Sequence, residues 1–173
     1  MRLPFYFYVS LLASALIADA AQLEVVNIAG EKLRENPLGD PAARRVAVFK
    51  PGDVKDDARL PLVVYLPGWG GSSEDAIAQG SHAWFGEVVD QLAARGMRLR
   101  IAVVDGRSRY GGSQFLNSTA TGDYADYVAD EIVPALTKQP CIIAGHSSGA
   151  YGALMLAMSH HEKFTSESAP RGE

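Results

Sequence analysis

Cysteine is almost absent from this sequence. The 173 residues include one, Cys141, so no disulfide can form within the chain. A strong charge of one sign is missing too, because the formal net charge is −4 and the lysines and arginines are dispersed rather than aligned on one face. These absences exclude a disulfide-stapled scaffold and leave no electrostatic footprint for nucleic acid, so we expect a small or neutral partner.

Apolar runs of membrane length are also missing, and the first twenty residues come nearest to one. Residues 5–18 are almost wholly apolar, but this stretch is short for a membrane span of about 20 residues. Ala18 and Ala20 supply the small residues that a signal peptidase reads. We predict a signal peptide over residues 1–20, cleavage after Ala20, and a secreted or periplasmic protein without stable membrane insertion. The alternative is an uncleaved anchor, which Pro4 and Asp19 disfavour because both interrupt the span.

The remaining residues, 21–173, have the composition of one ordinary globular domain, since the chain is 47% hydrophobic and 21% charged. Short apolar runs bounded by turn residues predict strands over 23–28, 46–49, 62–66, 101–104 and 141–144. We expect the first two to form an antiparallel pair at a sheet edge and the last three to be buried on both faces, because they lack alternation. Apolar residues at helical spacing predict helices over 84–92, 124–136 and 150–158. Strands that alternate with helices predict an α/β fold with a mostly parallel sheet and helices on both faces.

Ser147 stands in the pattern Gly145-His146-Ser147-Ser148-Gly149, directly between a predicted strand and a predicted helix. G-x-S-x-G in this context is typical of a nucleophile elbow, in which a serine sits on a tight, strained turn with positive φ. The glycines are needed because a side chain at either position would collide with the neighbouring strand or helix. The turn presents the weakly nucleophilic hydroxyl to a histidine base. The alternative is a serine that caps a buried helix.

A glycine-rich loop, Pro67-Gly68-Trp69-Gly70-Gly71, follows the predicted strand 62–66. A nucleophilic serine needs two N–H donors for the oxyanion that forms on the substrate. The first is the N–H after the nucleophile, that of Ser148, and we assign the second to Trp69 in this loop. Simple packing is the alternative role for Trp69. A phosphate cradle is disfavoured because the loop lacks the Lys-Ser or Lys-Thr of a P-loop and the spacing of a dinucleotide site.

The sequence resembles the putative-esterase family of α/β-hydrolases, which includes S-formylglutathione hydrolase (esterase D), feruloyl esterases and the mycolyltransferases. The resemblance implies an acyl-enzyme mechanism on a small ester or thioester, with Ser147 as the nucleophile and without metal or cofactor. The chain departs from the family at Pro67, where histidine is often found. The stretches that carry the resemblance are 62–71, Tyr110-Gly111-Gly112-Ser113-Gln114-Phe115 with Asn117-Ser118, 121–134 and 142–157.

The acid and the histidine of the expected triad should follow Ser147 along the chain, and no suitable pair is found there. His160 and His161 lie at the end of the helix that Ser147 begins, about 20 Å away for His160. His82 and His146 are expected to pack or to bond locally. The tail from Phe164 has no apolar run where a relative would place another buried strand. We therefore expect a partial α/β-hydrolase domain whose C-terminal strands are missing, either as a fragment or through a shifted reading frame.

Three functions remain open from the sequence alone. The first is a carboxylesterase-type serine hydrolase, impaired in this chain because the triad is incomplete. The second is a secreted binding protein that retains the pocket without the chemistry. The third is a truncated product without function.

Overall fold

A five-stranded sheet forms the centre of the molecule. The computed structural model describes residues 20–55 and 57–164, so the predicted signal peptide and the tail 165–173 lie outside the described residues apart from Ala20. In chain order the sheet contains β1 (Gln22–Ile28), β2 (Arg44–Lys50), β3 (Leu62–Leu66), β4 (Arg100–Val103) and β7 (Ile142–Gly145), arranged spatially as β1-β2-β4-β3-β7. A small hairpin, β5 (Asn117–Ser118) and β6 (Gly122–Asp123), lies outside this sheet.

The strand directions agree with the expected fold. The pair β1–β2 is antiparallel at one edge, as predicted, and β2 is also antiparallel to β4. The pairs β4–β3 and β3–β7 are parallel. Only β2 therefore runs against the other four strands of this sheet, which confirms the mostly parallel arrangement.

Helices cover both faces of the sheet, as the alternation of strands and helices predicted. They are α1 (Ser73–Gln79), α2 (Trp84–Ala94), α3 (Tyr124–Asp126), a π-helical turn (Tyr127–Ile132), α4 (Val133–Leu136) and α5 (Ser148–Ser159). Alternate residues of β2 lie in opposite layers. Val46 and Val48 belong to the core on the face covered by α3, the π turn and α5. Ala47 and Phe49 belong to the core on the face covered by α1 and α2. Burial on both sides fixes the register of each strand, because a slip by one residue would exchange the two faces.

The strand β7 differs from its prediction. Residues 141–144 were predicted as a strand buried on both faces, whereas the strand spans Ile142–Gly145 and all four of its residues are half-buried. Among the described residues, β7 lies at the sheet edge and pairs with β3 alone, except that Cys141, just before it, bridges to Phe164 in parallel. Periodicity reports which residues are apolar and does not report how many strands lie beside them, so the edge position was not readable from the sequence.

Neither a membrane-spanning helix nor a metal cluster occurs in residues 20–55 and 57–164. No helix there is long and apolar enough to cross a bilayer, and no three His, Cys, Asp or Glu side chains converge as metal ligands would.

We predict that Cys141 resists alkylation in the folded chain. The residue is 1% exposed, and burial raises the pKa of its thiol to about 11 from the ordinary 9.0. Because the thiolate is the reactive form, this rise leaves about 100-fold less of it at pH 8. Labelling by iodoacetamide, followed by mass spectrometry, should be at least about 100-fold slower in buffer than in urea. Equal rates in the two conditions would show that Cys141 is accessible.

Candidate active site

Ser147 occupies the turn between β7 and α5 in a backbone conformation that side-chain-bearing residues rarely adopt. Its φ is 54° and its ψ is −120°, and α5 begins at the next residue. This confirms the predicted strand-to-helix turn with positive φ. Strain of about 1–3 kcal/mol is typical of such a residue and persists only where surrounding contacts impose it. Ser147 is exposed and its side chain makes no capping hydrogen bond to α5, so the helix-cap alternative fails.

The two glycines of the motif impose this conformation by close backbone contact. A Cβ on Gly149 would lie 2.0 Å from the carbonyl oxygen of Leu66, and one on Gly145 would lie 2.3 Å from the carbonyl oxygen of Gly149. The N–H of His146 donates to Leu66 O at 3.1 Å, which extends the parallel pairing of β3 and β7 to the elbow. The collision argument made from the sequence is therefore correct at both positions.

The glycine-rich loop after β3 lies against the elbow. A Cβ on Gly68 would be 3.4 Å from the Cβ of Ser147, so the loop backbone approaches the serine closely. Within residues 20–55 and 57–164, neither the N–H of Trp69 nor that of Ser148 donates a hydrogen bond. Two N–H groups next to the serine are thus available for a ligand, which is what an oxyanion hole requires.

The side chain of Trp69 packs while its N–H stays available. The indole lies over Gly111 and Gly112, where added Cβ atoms would come within 2.6 Å and 2.9 Å of the ring. The N–H of Gly70 donates to Gly111 O at 3.1 Å, which ties the two loops together. The packing role proposed as the alternative for Trp69 is therefore compatible with the oxyanion role.

The structure does not bring a base to Ser147. Four histidines occur in the chain, and in the described ranges none of them forms a hydrogen bond with the serine. The Nδ1 of His146 is directed to Gly68, at 3.0 Å from the position of an added Cβ. His160 follows the last residue of α5, and its Nδ1 lies 2.9 Å from Ser159 Oγ. The side chain of His161 is 84% exposed. His82 lies exposed after α1.

The sequence reading missed a buried ion pair at the same edge of the sheet. Arg44 Nη1 lies 3.3 Å from Asp105 Oδ2, and their side chains are 6% and 9% exposed. Arg44 also donates to the hydroxyl of Tyr124 at 2.9 Å, and that hydroxyl donates to Arg107 O at 2.9 Å. Arg44 begins β2 and Asp105 follows β4, so only the strand order, which no local pattern contains, brings them together.

A model of a known protein family matches most of this chain. The model described as "Alpha/beta hydrolase family" matches residues 63–170, which is more than half of the chain. The chain belongs to the alpha/beta hydrolase family. Comparison with curated protein sequences gives no match.

Solved structures of a hydrolase and of two esterases are similar to this alpha/beta hydrolase. An S-formylglutathione hydrolase from Agrobacterium tumefaciens has a TM-score of 0.61 at 18% identity, over 84% of this chain and 56% of its own. A ferulic acid esterase from Anaeromyces mucronatus has a TM-score of 0.61 at 12% identity, over 86% and 58%. The enterobactin esterase of Shigella flexneri has a TM-score of 0.57 at 22% identity, over 82% and 35%. At these identities the likeness shows the fold, and this alpha/beta hydrolase spans about half of the length of the first two structures.

We predict that Gly149→Ala destabilises this alpha/beta hydrolase more than Gly96→Ala. The first change adds a methyl group inside a helix, 2.0 Å from a carbonyl oxygen of β3, whereas Gly96 has open space and a φ of +79°. We expect a loss of about 3 kcal/mol for Gly149→Ala from overpacking and about 1 kcal/mol for Gly96→Ala from the left-handed backbone. Urea unfolding measures both. An equal or larger loss for Gly96→Ala would contradict close contact at the elbow.

Proposed function

We propose that this chain carries the nucleophile and the oxyanion donors of a serine hydrolase that acts on carboxylic esters or thioesters of small molecules. The observation that carries the proposal is the strained, exposed Ser147, with φ of 54°, next to the N–H groups of Trp69 and Ser148, which have no partner among the described residues. A serine that only stabilised the helix would be expected to adopt the relaxed N-cap backbone and to bond its hydroxyl to the first turn. The similar structures, of an S-formylglutathione hydrolase and a ferulic acid esterase, support the same reaction class.

The proposed reaction has two stages. Ser147 Oγ attacks the carbonyl carbon while a histidine base takes the hydroxyl proton, and the carbonyl oxygen becomes an oxyanion that accepts from the N–H groups of Trp69 and Ser148. The tetrahedral intermediate then expels the alcohol or thiol, which receives the proton, and an acyl-serine remains. Water repeats these steps and releases the acid. Each oxyanion donor contributes about 10²–10³ in kcat in comparable enzymes.

The base is the part that the described residues do not supply. We therefore propose that the chain as given is catalytically weak, retaining about 10³–10⁴-fold acceleration over water from the oxyanion donors and binding. This absence also favours a second candidate, a binding protein that retains the pocket without catalysis. The two candidates differ in whether Ser147 reacts when a base is provided from solution.

Secretion is also part of the proposal. Ala21, the predicted first residue after cleavage, is 4% exposed, and its N–H donates to Asp90 Oδ1 at 2.8 Å. Removal of residues 1–20 converts this N–H into a terminal ammonium beside the same carboxylate. A charge-assisted hydrogen bond of this kind is stronger than the neutral one that it replaces, so cleavage after Ala20 is compatible with the fold and favourable for it.

We predict that imidazole restores acylation of Ser147. Residues 21–173 should label slowly with a fluorophosphonate, because no base activates the hydroxyl, and imidazole in the buffer should accelerate the labelling by supplying one. The measurement is intact-protein mass spectrometry with and without imidazole. The Ser147→Ala variant should remain unlabelled in both conditions, and a matched change at an exposed serine, Ser159→Ala, should behave as wild type.

Two results would count against this proposal. If labelling of Ser147 stays negligible when imidazole is present, the binding-protein candidate is favoured. Rapid labelling without imidazole, together with rapid 4-nitrophenyl acetate turnover that Ser147→Ala abolishes, would mean that the chain contains its own base and that the weak-activity proposal is wrong.

We predict that the exported protein begins at Ala21 and that Asp90 holds its new terminus. Mass spectrometry of secreted or periplasmic material should give the mass of residues 21–173. In that material Asp90→Asn should lower the free energy of unfolding by about 1 kcal/mol, because asparagine retains a neutral hydrogen bond in place of the charge-assisted one. The matched change Asp123→Asn, at an exposed carboxylate, should have little effect. Exported protein that begins at Met1 would contradict the cleavage.

A further inference from the structure

An arginine-lined groove opens at the carboxyl edge of the sheet, next to the loop that packs on Trp69. Its volume is about 510 Å³. Smaller residues line part of the groove. The charged residues in its lining are four arginines and three carboxylates: Arg44, Arg45, Arg107, Arg109, Asp40, Glu74 and Asp105. The arginines therefore exceed the carboxylates by one charge, in a chain whose formal net charge is −4.

The carboxylates of the groove are already engaged by protein groups. Asp105 pairs with Arg44 at 3.3 Å and accepts the N–H of Arg107 at 2.9 Å. Asp40 accepts the N–H of Arg109 at 2.9 Å. Glu74 pairs with Arg45 in a bidentate contact. Protein groups therefore already bind all three carboxylates, and arginines balance the charge of two of them, Asp105 and Glu74.

Two guanidinium groups keep donors that no protein group uses. Among residues 20–55 and 57–164, the guanidinium of Arg109 has no hydrogen-bond or ion-pair partner. The Arg44 side chain is 6% exposed, and its buried Nε has no hydrogen-bond partner among the described residues. A buried donor without a partner is costly, and the guanidinium that carries it belongs to a residue that lines the groove, so the hydrogen bonding of this guanidinium is incomplete within the protein. Arg107 reaches Asp105 only at 3.5 Å, which leaves most of its donors available as well.

We propose that this groove binds the carboxylate of a small organic acid. The planar fork of a guanidinium matches a carboxylate, and one negative charge balances the excess of one arginine. A phosphate dianion fits less well, because its second charge would lie beside Asp40 and Glu74 without compensation. β4, which leads into the groove, is two strand spacings from β7, and β2, which begins in the groove, is three, so the groove lies about 10–15 Å along the edge from the elbow. On the basis of the proposed function, the ligand is an ester whose carboxylate occupies the groove while its carbonyl reaches Ser147.

The first experiment measures binding without any reaction. Calorimetric titration of residues 21–173 with suberate, a linear dicarboxylate, at low salt should give saturable binding, and its neutral diamide should not bind. Arg109→Gln should weaken suberate binding at least about tenfold, because it removes charge-assisted hydrogen bonds. Arg59→Gln, at an exposed arginine outside the groove, should bind as wild type. Arg44 is left unchanged because removal of one member of a buried ion pair endangers folding.

The second experiment links the groove to the serine. In imidazole buffer, the 4-nitrophenyl half-ester of suberate should acylate Ser147 at least about tenfold faster than the neutral methyl 4-nitrophenyl diester, and Arg109→Gln should remove the difference. Mass spectrometry of the acyl-protein gives both rates.

The outcomes separate this inference from the esterase proposal. Three results would overturn the carboxylate site. Suberate does not bind, Arg59→Gln weakens suberate binding as much as Arg109→Gln does, or inorganic phosphate binds more tightly than suberate. Suberate binding without acylation by either ester supports the groove and overturns the esterase proposal. Suberate binding with equal acylation by the two esters overturns the link between groove and serine.

Discussion

Close backbone contact between the start of α5 and the end of β3 is the constraint on which the rest of the site depends. It exists because Gly149 has no side chain, since a Cβ there would lie 2.0 Å from Leu66 O and 2.4 Å from Pro67 O. The contact places α5 directly on the sheet and allows β7 to pair with β3 as far as the elbow. It leaves Ser147 no relaxed backbone between strand and helix, so the strain at φ 54° follows from packing.

The features that local chemistry determines were predictable from the sequence. Apolar runs located the five strands of the central sheet, and glycine at 145 and 149 located the turn, because each reflects a requirement of the residue's own position. Gly96, just past α2, has a φ of +79°, the left-handed conformation that is typical of a glycine after a helix. The free N–H groups of Trp69 and Ser148 agree with the assignment made from the loop and motif, although their catalytic role stays a prediction.

The features that depend on strand order were not predictable. The half-buried β7 lies at an edge that no local pattern encodes. Arg44 and Tyr124 are 80 residues apart in sequence, and two dispersed residues carry no signal of a buried contact. The segment between β4 and α3 contains the β5–β6 hairpin and positive φ values of 56° at Gln114 and 55° at Phe115. Gly152 explains these last two positions in part, since a Cβ there would lie 2.5 Å from Gln114 O.

The groups proposed to attack the substrate and to bind its oxyanion differ from the base in how the fold holds them. The proposed nucleophile and the proposed oxyanion donors are held by backbone contacts among β3, β7, α5 and the Trp69 loop, all of them among the described residues. A base, in contrast, needs only to reach Ser147 Oγ within hydrogen-bond distance and makes no contribution to the strain of the turn. The elbow conformation therefore does not require the base to be present. For the same reason we expect that a small base from solution can act on Ser147, whereas no added molecule can replace Gly149 and the backbone conformation that it permits.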